Sequence, residues 1–88
     1  MSELLIMNKA HMDTLMQRFR QKSEQVEQLR NEITQLLAGT TWDGARARRF
    51  RSEWEGTFAP SLARLEAALT ENAIFLNQER SNAVSAMD

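Results

Sequence analysis

The chain has 88 residues, which is enough for one small domain. Eleven basic and twelve acidic residues give a formal net charge of −1, which argues against a strongly basic nucleic-acid-binding protein. There is no cysteine and only one histidine, which excludes a disulfide framework, a cysteine-ligated zinc site and a multi-histidine metal site within this sequence. We therefore expect no metal and no other cofactor.

The first predicted element is a long amphipathic helix over about residues 4–38, a stretch that contains neither Gly nor Pro. Apolar residues recur along it every seven positions, as in a heptad repeat. One row consists of Leu5, Met12, Phe19, Val26 and Ile33. A second row consists of Leu15, Leu29 and Leu36, with Lys22 at the vacant position. Gly39 is expected to end the helix in a left-handed conformation.

A turn at residues 39–43 and a second helix at about residues 44–80 follow. Three residues are competent N-caps for this helix, namely Thr40, Thr41 and Asp43. Its apolar stripe consists of Phe50, Trp54, Phe58, Leu62, Leu65, Leu69, Ala73 and Leu76. This stripe steps by three or four residues. From Trp54 onward it follows an eleven-residue repeat, typical of a nearly straight helix, in which Trp54, Leu65 and Leu76 form one row.

Pro60 falls inside this stripe. Its ring would clash with the carbonyl of Gly56, and we interpret the pair as a mild kink because the stripe continues in phase. The alternative is a break into two helices at residues 56–60. Residues 81–88 are mostly small and polar and are expected to fray.

Together these elements predict an all-α fold, a single antiparallel helix-turn-helix hairpin that spans residues 1–88. Around a turn near Thr41, Phe19 would face Leu65 and Leu29 would face Trp54. Two helices cannot enclose this much apolar surface, so we expect dimerisation into a four-helix bundle. The predicted hairpin and dimer core consists of Met12, Phe19, Val26, Ile33, Phe50, Trp54, Phe58, Leu65 and Leu69.

Nothing in the sequence indicates an enzyme. His11 has no second histidine with which to share a metal, and no nucleotide-binding loop, GxSxG elbow or HExxH motif is present. The marked charge cluster consists of Arg46, Arg48, Arg49 and Arg51. It is either a docking site for phosphates or an acidic partner, or a solvated face whose charge nearby acids almost cancel. Trp42 either folds back over the helix ends or is offered to a partner.

The turn carries a recognisable motif. Trp42-Asp43-Gly44 lies between the two long helices, and Ala45, Phe50 and Trp54 follow at spacings similar to a Trp-x-Gly-x-Ala…Phe…Trp pattern. Over essentially its whole length the chain resembles the WXG family. These early-secretory-antigen-like small helical proteins are exported by the type VII (ESX) secretion systems of actinobacteria and firmicutes.

The resemblance implies a non-catalytic helical protein that dimerises with itself or with a paralogous WXG protein. It also implies recognition by the ATPase of a type VII secretion machine, with Trp42 and Gly44 as the motif residues. Arg46 and Arg49 of the arginine cluster are further candidates for partner recognition. The protein would be cytoplasmic before export and then secreted without a cleavable signal peptide or stable membrane insertion. The apolar run Leu4–Met7 is too short for either a signal peptide or a membrane span.

Members of the family often carry a second signal, Tyr-x-x-x-Asp/Glu, after the second helix. This chain has no Tyr, and Phe75 with Glu79 gives only a degenerate, early version of that signal. Alternatively, Phe75 simply continues the apolar face. Two other functions stay open: an intracellular coiled-coil interaction module, such as a chaperone-like partner of a larger secreted toxin, and a nucleic-acid binder that uses the arginine cluster.

Overall fold

The chain forms an elongated antiparallel helical hairpin, which confirms the predicted all-α fold. The computed structural model describes the backbone of residues 6–87 and the side chains of residues 6–85. The first arm is α1 (Lys9–Gly39). The second arm consists of α2 (Ala45–Glu53), a π-helical turn (Trp54–Phe58) and α3 (Ala59–Met87). Within residues 6–87, neither arm has an apolar stretch that could cross a bilayer.

Helix α1 begins later than predicted because Asn8 caps it. The Asn8 side chain accepts a hydrogen bond from the backbone N–H of His11 at 3.0 Å, so residues 6–8 lie outside the helix. Leu5, which opened the predicted apolar row, lies outside the described residues. The expected left-handed ending at Gly39 is wrong. Thr40 has an extended backbone and ends the helix instead. Its N–H donates to the Leu37 carbonyl, and its hydroxyl donates to the Leu36 carbonyl.

Gly44 starts the second arm. Its φ of 114° and ψ of 176° belong to a region that essentially only glycine occupies. The Gly44 carbonyl accepts the first helical hydrogen bond, from the N–H of Arg48 at 3.1 Å. The predicted side-chain caps at residues 40, 41 and 43 are therefore wrong. The chain reverses through a glycine-specific conformation directly before Ala45, and no side chain is needed to cap α2 there.

A π-helical turn directly precedes Pro60 in the second arm, and the helix continues through Pro60 without the alternative break. The N–H of Ala59 donates to the carbonyl of Trp54, five residues earlier. This wider turn accommodates a proline that has no N–H to donate. The extra residue also rotates the stripe, so that Trp54 is buried while Leu65, eleven residues later, is exposed. Trp54 and Leu65 therefore do not share one row as predicted.

The two arms pair five to nine residues away from the predicted register, or about one and a half to two and a half helical turns. The indole N–H of Trp54 donates to the hydroxyl of Thr34, so Trp54 lies beside Thr34 and not beside Leu29. Further along the arms, Ser23 lies beside Glu66 and Thr70. The predicted contacts of Phe19 with Leu65 and of Leu29 with Trp54 are thus wrong. The first turn of α2 extends beyond the end of α1, and the π-helical turn adds one more residue to the second arm.

Small side chains hold the second arm close to the first. The fully or nearly buried alanines are Ala47, Ala73 and Ala83. Near the open end, the Arg80 guanidinium lies 2.6 Å from the Asp13 carboxylate. These contacts tie the end of α3 to α1, and they explain why the helix continues to Met87 through residues that were expected to fray.

Candidate interaction sites

One side of the seam between the arms is polar. Arg30 donates two hydrogen bonds to the Glu66 carboxylate, from Nε to Oε2 at 2.7 Å and from Nη2 to Oε1 at 3.2 Å. The hydrogen bond to Glu66 raises the pKa of Arg30 despite an opposing effect of desolvation, so the guanidinium stays charged. Next to this pair, the Ser23 hydroxyl donates to the Glu66 backbone carbonyl at 2.9 Å and lies 3.0 Å from the Thr70 hydroxyl.

The other side of the seam is apolar and uncovered. On α1, Leu15, Leu29 and Leu36 share a row that lies next to the half-buried Phe19 and Val26, away from the polar side. On the second arm, the exposed residues of the same side are Phe50, Phe58 and Leu65. We call these six side chains the apolar face. All of them are at least 40% exposed, and Leu36 is 68% exposed.

The predicted core residues therefore divide into three groups. Trp54 is buried, as predicted. Half-buried residues along the seam are Met12, Phe19, Val26, Ile33 and Leu69. The remaining three, Phe50, Phe58 and Leu65, belong to the apolar face and are exposed in the single chain. The predicted second row on α1 likewise lies on this face rather than between the arms, because Met16, Ser23, Arg30 and Leu37 take the inner position.

At the tip of the hairpin, Trp42 folds back yet stays accessible. Its ring centroid lies 5.9 Å from that of Phe50 in a tilted arrangement, and the Arg51 guanidinium carbon lies 5.9 Å from the same ring. The side chain nevertheless keeps 42% exposure. Gly44 has open space where a Cβ would sit, so its glycine requirement comes from the backbone angle. Trp42 is thus continuous with the apolar face through Phe50.

The arginine cluster separates into two parts. Arg46, Arg48 and Arg49 are exposed, and the Arg49 Nε lies 3.4 Å from a carboxylate oxygen of Glu53, one turn later. Arg51 points inward to the end of α1. The sequence contained a signal for this difference, since Arg51 follows the buried Ala47 by four residues and precedes the buried Trp54 by three.

The remaining candidate residues are spread over the surface. Phe75 and Glu79 are both exposed and four residues apart on α3, far from the tip that carries Trp42. His11 is exposed near the start of α1. In the part of the chain that the structure describes, no three His, Cys, Asp or Glu residues are arranged to hold a metal ion.

No family model matches the chain, and no curated protein or solved structure matches it significantly. The resemblance to the WXG family consequently depends on the residues quoted above, and what it implies about partners and export stays a prediction.

Proposed function

We propose that this chain is a non-catalytic interaction protein whose apolar face packs against a second helical hairpin, either another copy or a paralogue, in a four-helix bundle. The support is the uncovered apolar face itself. Contiguous patches of this kind on small proteins mark interaction surfaces, and two amphipathic helices alone cannot bury them. The polar side of each hairpin would then remain in contact with solvent.

We further propose that the pair acts in a type VII (ESX) secretion system, as an exported protein or as an adaptor for one. The observation that carries this proposal is the tip, where Trp42-Asp43-Gly44 joins the two arms. Gly44 sits at an angle that other residues avoid, and Trp42 presents a half-exposed aromatic ring beside it. Exposed aromatic anchors of this kind carry much of the binding energy of protein interfaces.

The ATPase of the secretion machine would recognise this tip, and the exposed Arg46 and Arg49 flank it on α2. Phe75 and Glu79 would form a second, degenerate signal on the outer surface of α3. An acidic surface on the ATPase would complement the two exposed arginines, of which Arg49 also lies 3.4 Å from Glu53.

The test is an export assay in a host with a type VII system. We expect Trp42→Ala to leave helical content and oligomeric state unchanged, because the ring lies at the tip and not in the seam, and to abolish export. Ile74→Ala is the matched control, since it removes a similarly exposed apolar side chain from α3, at 49% exposure. Normal export of Trp42→Ala would refute recognition through the tip.

A further inference from the structure

Arg51 makes a dense set of contacts at the junction of the two arms. Its guanidinium donates hydrogen bonds to three backbone carbonyls, through Nη1 to Trp42 at 2.7 Å and through Nη2 to Leu37 at 3.2 Å and Thr40 at 2.9 Å. The side chain is half-buried, unlike the neighbouring arginines. One side chain of the second arm thus binds the end of the first arm and the connection between them.

Two of these carbonyls, those of Leu37 and Thr40, lie at the C-terminal end of α1. The last carbonyls of a helix have no partner within the helix, and they form the negative end of its dipole. Leu37 lies in the last turn of α1, and Thr40 is the first residue after the helix. A guanidinium at this position supplies a positive charge, a donor to the Thr40 carbonyl and a second donor to the Leu37 carbonyl, which also accepts from the Thr40 N–H. The same group reaches the carbonyl of Trp42, two residues further along.

The Trp42 ring depends on the same side chain. Arg51 approaches the ring to 5.9 Å, the range of a cation–π contact, while Phe50 contacts it with a tilted ring. Arg51 therefore holds both the backbone and the side chain of Trp42. The contact of Phe50 is with the Trp42 ring, whereas Arg51 also binds the Trp42 backbone carbonyl.

We propose that Arg51 is the positioning residue of the tip, which fixes the Trp42 ring in the half-exposed orientation that a partner contacts. The inference rests on the proposed recognition of Trp42 by the secretion machinery. Lysine cannot take over this role, because an ammonium group is a compact point charge and lacks the planar fork that spans several carbonyls. The requirement is thus for the geometry of arginine and not only for its charge.

The experiment uses fluorine NMR of the full chain labelled with 5-fluorotryptophan. The sequence contains two tryptophans, so two resonances are expected, and Trp42→Phe assigns them. Trp54 is buried in the seam and reports on the fold, while Trp42 reports on the tip. The variants are Arg51→Lys and Arg51→Gln. Arg64→Lys is the control, since the Arg64 side chain hydrogen-bonds only to Ser61, within its own helix, in the part of the chain described here.

We expect Arg51→Lys to shift the Trp42 resonance at least half of the way to its position in denatured protein, while the Trp54 resonance stays in place. Arg51→Gln should shift it as far or further. Arg64→Lys should move neither resonance. In the export assay, both Arg51 variants should lose at least about tenfold in export, in parallel with Trp42→Ala, as expected for a misplaced anchor.

Three results would overturn the proposal. The first is an unmoved Trp42 resonance in both Arg51 variants. The second is movement of both resonances together, because Arg51 would then hold the whole hairpin rather than its tip. The third is full export of the Arg51 variants although their Trp42 resonance has shifted and Trp42→Ala is not exported. If Trp42→Ala itself is exported normally, the proposed recognition fails, and the NMR shift still decides whether Arg51 positions the ring.

Discussion

Trp54 on the second arm donates its indole N–H to the hydroxyl of Thr34 on the first arm, at 3.0 Å. Trp54 is only 8% exposed, so this hydrogen bond satisfies a donor in a largely buried residue. It also fixes which turn of α1 faces the start of the π-helical turn. The pairing of the arms is thus set by a specific polar contact as well as by apolar burial.

Removal of this acceptor should destabilise the hairpin. We expect Thr34→Val to lower the free energy of unfolding by about 1–3 kcal/mol, the cost of a buried donor left unsatisfied. Thr14→Val is the control, because the Thr14 hydroxyl makes the same bond to a carbonyl four residues earlier and contacts no tryptophan. Its effect should stay within about 0.5 kcal/mol. Urea denaturation followed by circular dichroism measures both, and equal effects would argue against the Trp54 contact.

The backbone at Gly44 should tolerate no side chain. Gly44→Ala places a Cβ on a residue with φ of 114°, and we expect a loss of about 1–3 kcal/mol in the free energy of unfolding. Gly39→Ala should be neutral or stabilising by about 0.4–1 kcal/mol, because Gly39 lies within α1 and a Cβ there meets nothing within 4 Å. Thermal unfolding of the two variants compares them directly. A harmless Gly44→Ala would refute the positive φ at Gly44.

The register can be tested by cross-linking, since the natural chain has no cysteine. The Ser23 and Thr70 hydroxyls are 3.0 Å apart, so a Ser23→Cys, Thr70→Cys double variant should form an intramolecular disulfide under mild oxidation. Ser23→Cys with Ser61→Cys matches the register predicted from the sequence and should stay reduced. Mass spectrometry of the oxidised proteins distinguishes the two, and the opposite result would restore the predicted register.

The sequence sufficed for the number of helices, their direction and the position of the connection. The long stretches without Gly or Pro and the seven-residue spacing of Phe19, Val26 and Ile33 depend on local helix geometry, which a sequence pattern reports well. The register did not follow from the pattern. It depends on the conformation of Gly44 and on the π-helical turn near Pro60, and each moves the second arm without changing which residues are apolar.

The candidate site was predictable only in part. Trp42 and Gly44 were chosen by their resemblance to the WXG motif, and they lie close together in the connection between the arms. Arg51 was missed as a separate element because it stands within a cluster of like charges. Its role depends on carbonyls at Leu37 and Thr40, which come together with it only after the chain has reversed. Leu29 was assigned to the seam between the arms, because periodicity identifies an apolar row but not the surface that covers it.

The apolar face should control association. Leu29→Lys places a charge on this face, where a second hairpin would have to bury it, and we expect it to prevent pairing. Ile74→Lys is a closely matched control. The two side chains are 47% and 49% exposed, and Ile74 lies on the opposite side of the seam, beside Glu24 and Glu27. Ile74→Lys should leave association unchanged. An equal loss of association in both variants would show that any added charge weakens the pair.

The most direct test of the account is sedimentation equilibrium of the natural chain at micromolar concentration, with circular dichroism on the same sample. If a second copy covers the apolar face, the measured mass is about twice the 10.1 kDa of one chain. If only a paralogue covers it, the chain alone shows no cooperative unfolding transition. A monomer of 10.1 kDa that is fully helical and unfolds cooperatively would contradict the account, because the hairpin would then be stable with its apolar face exposed to water.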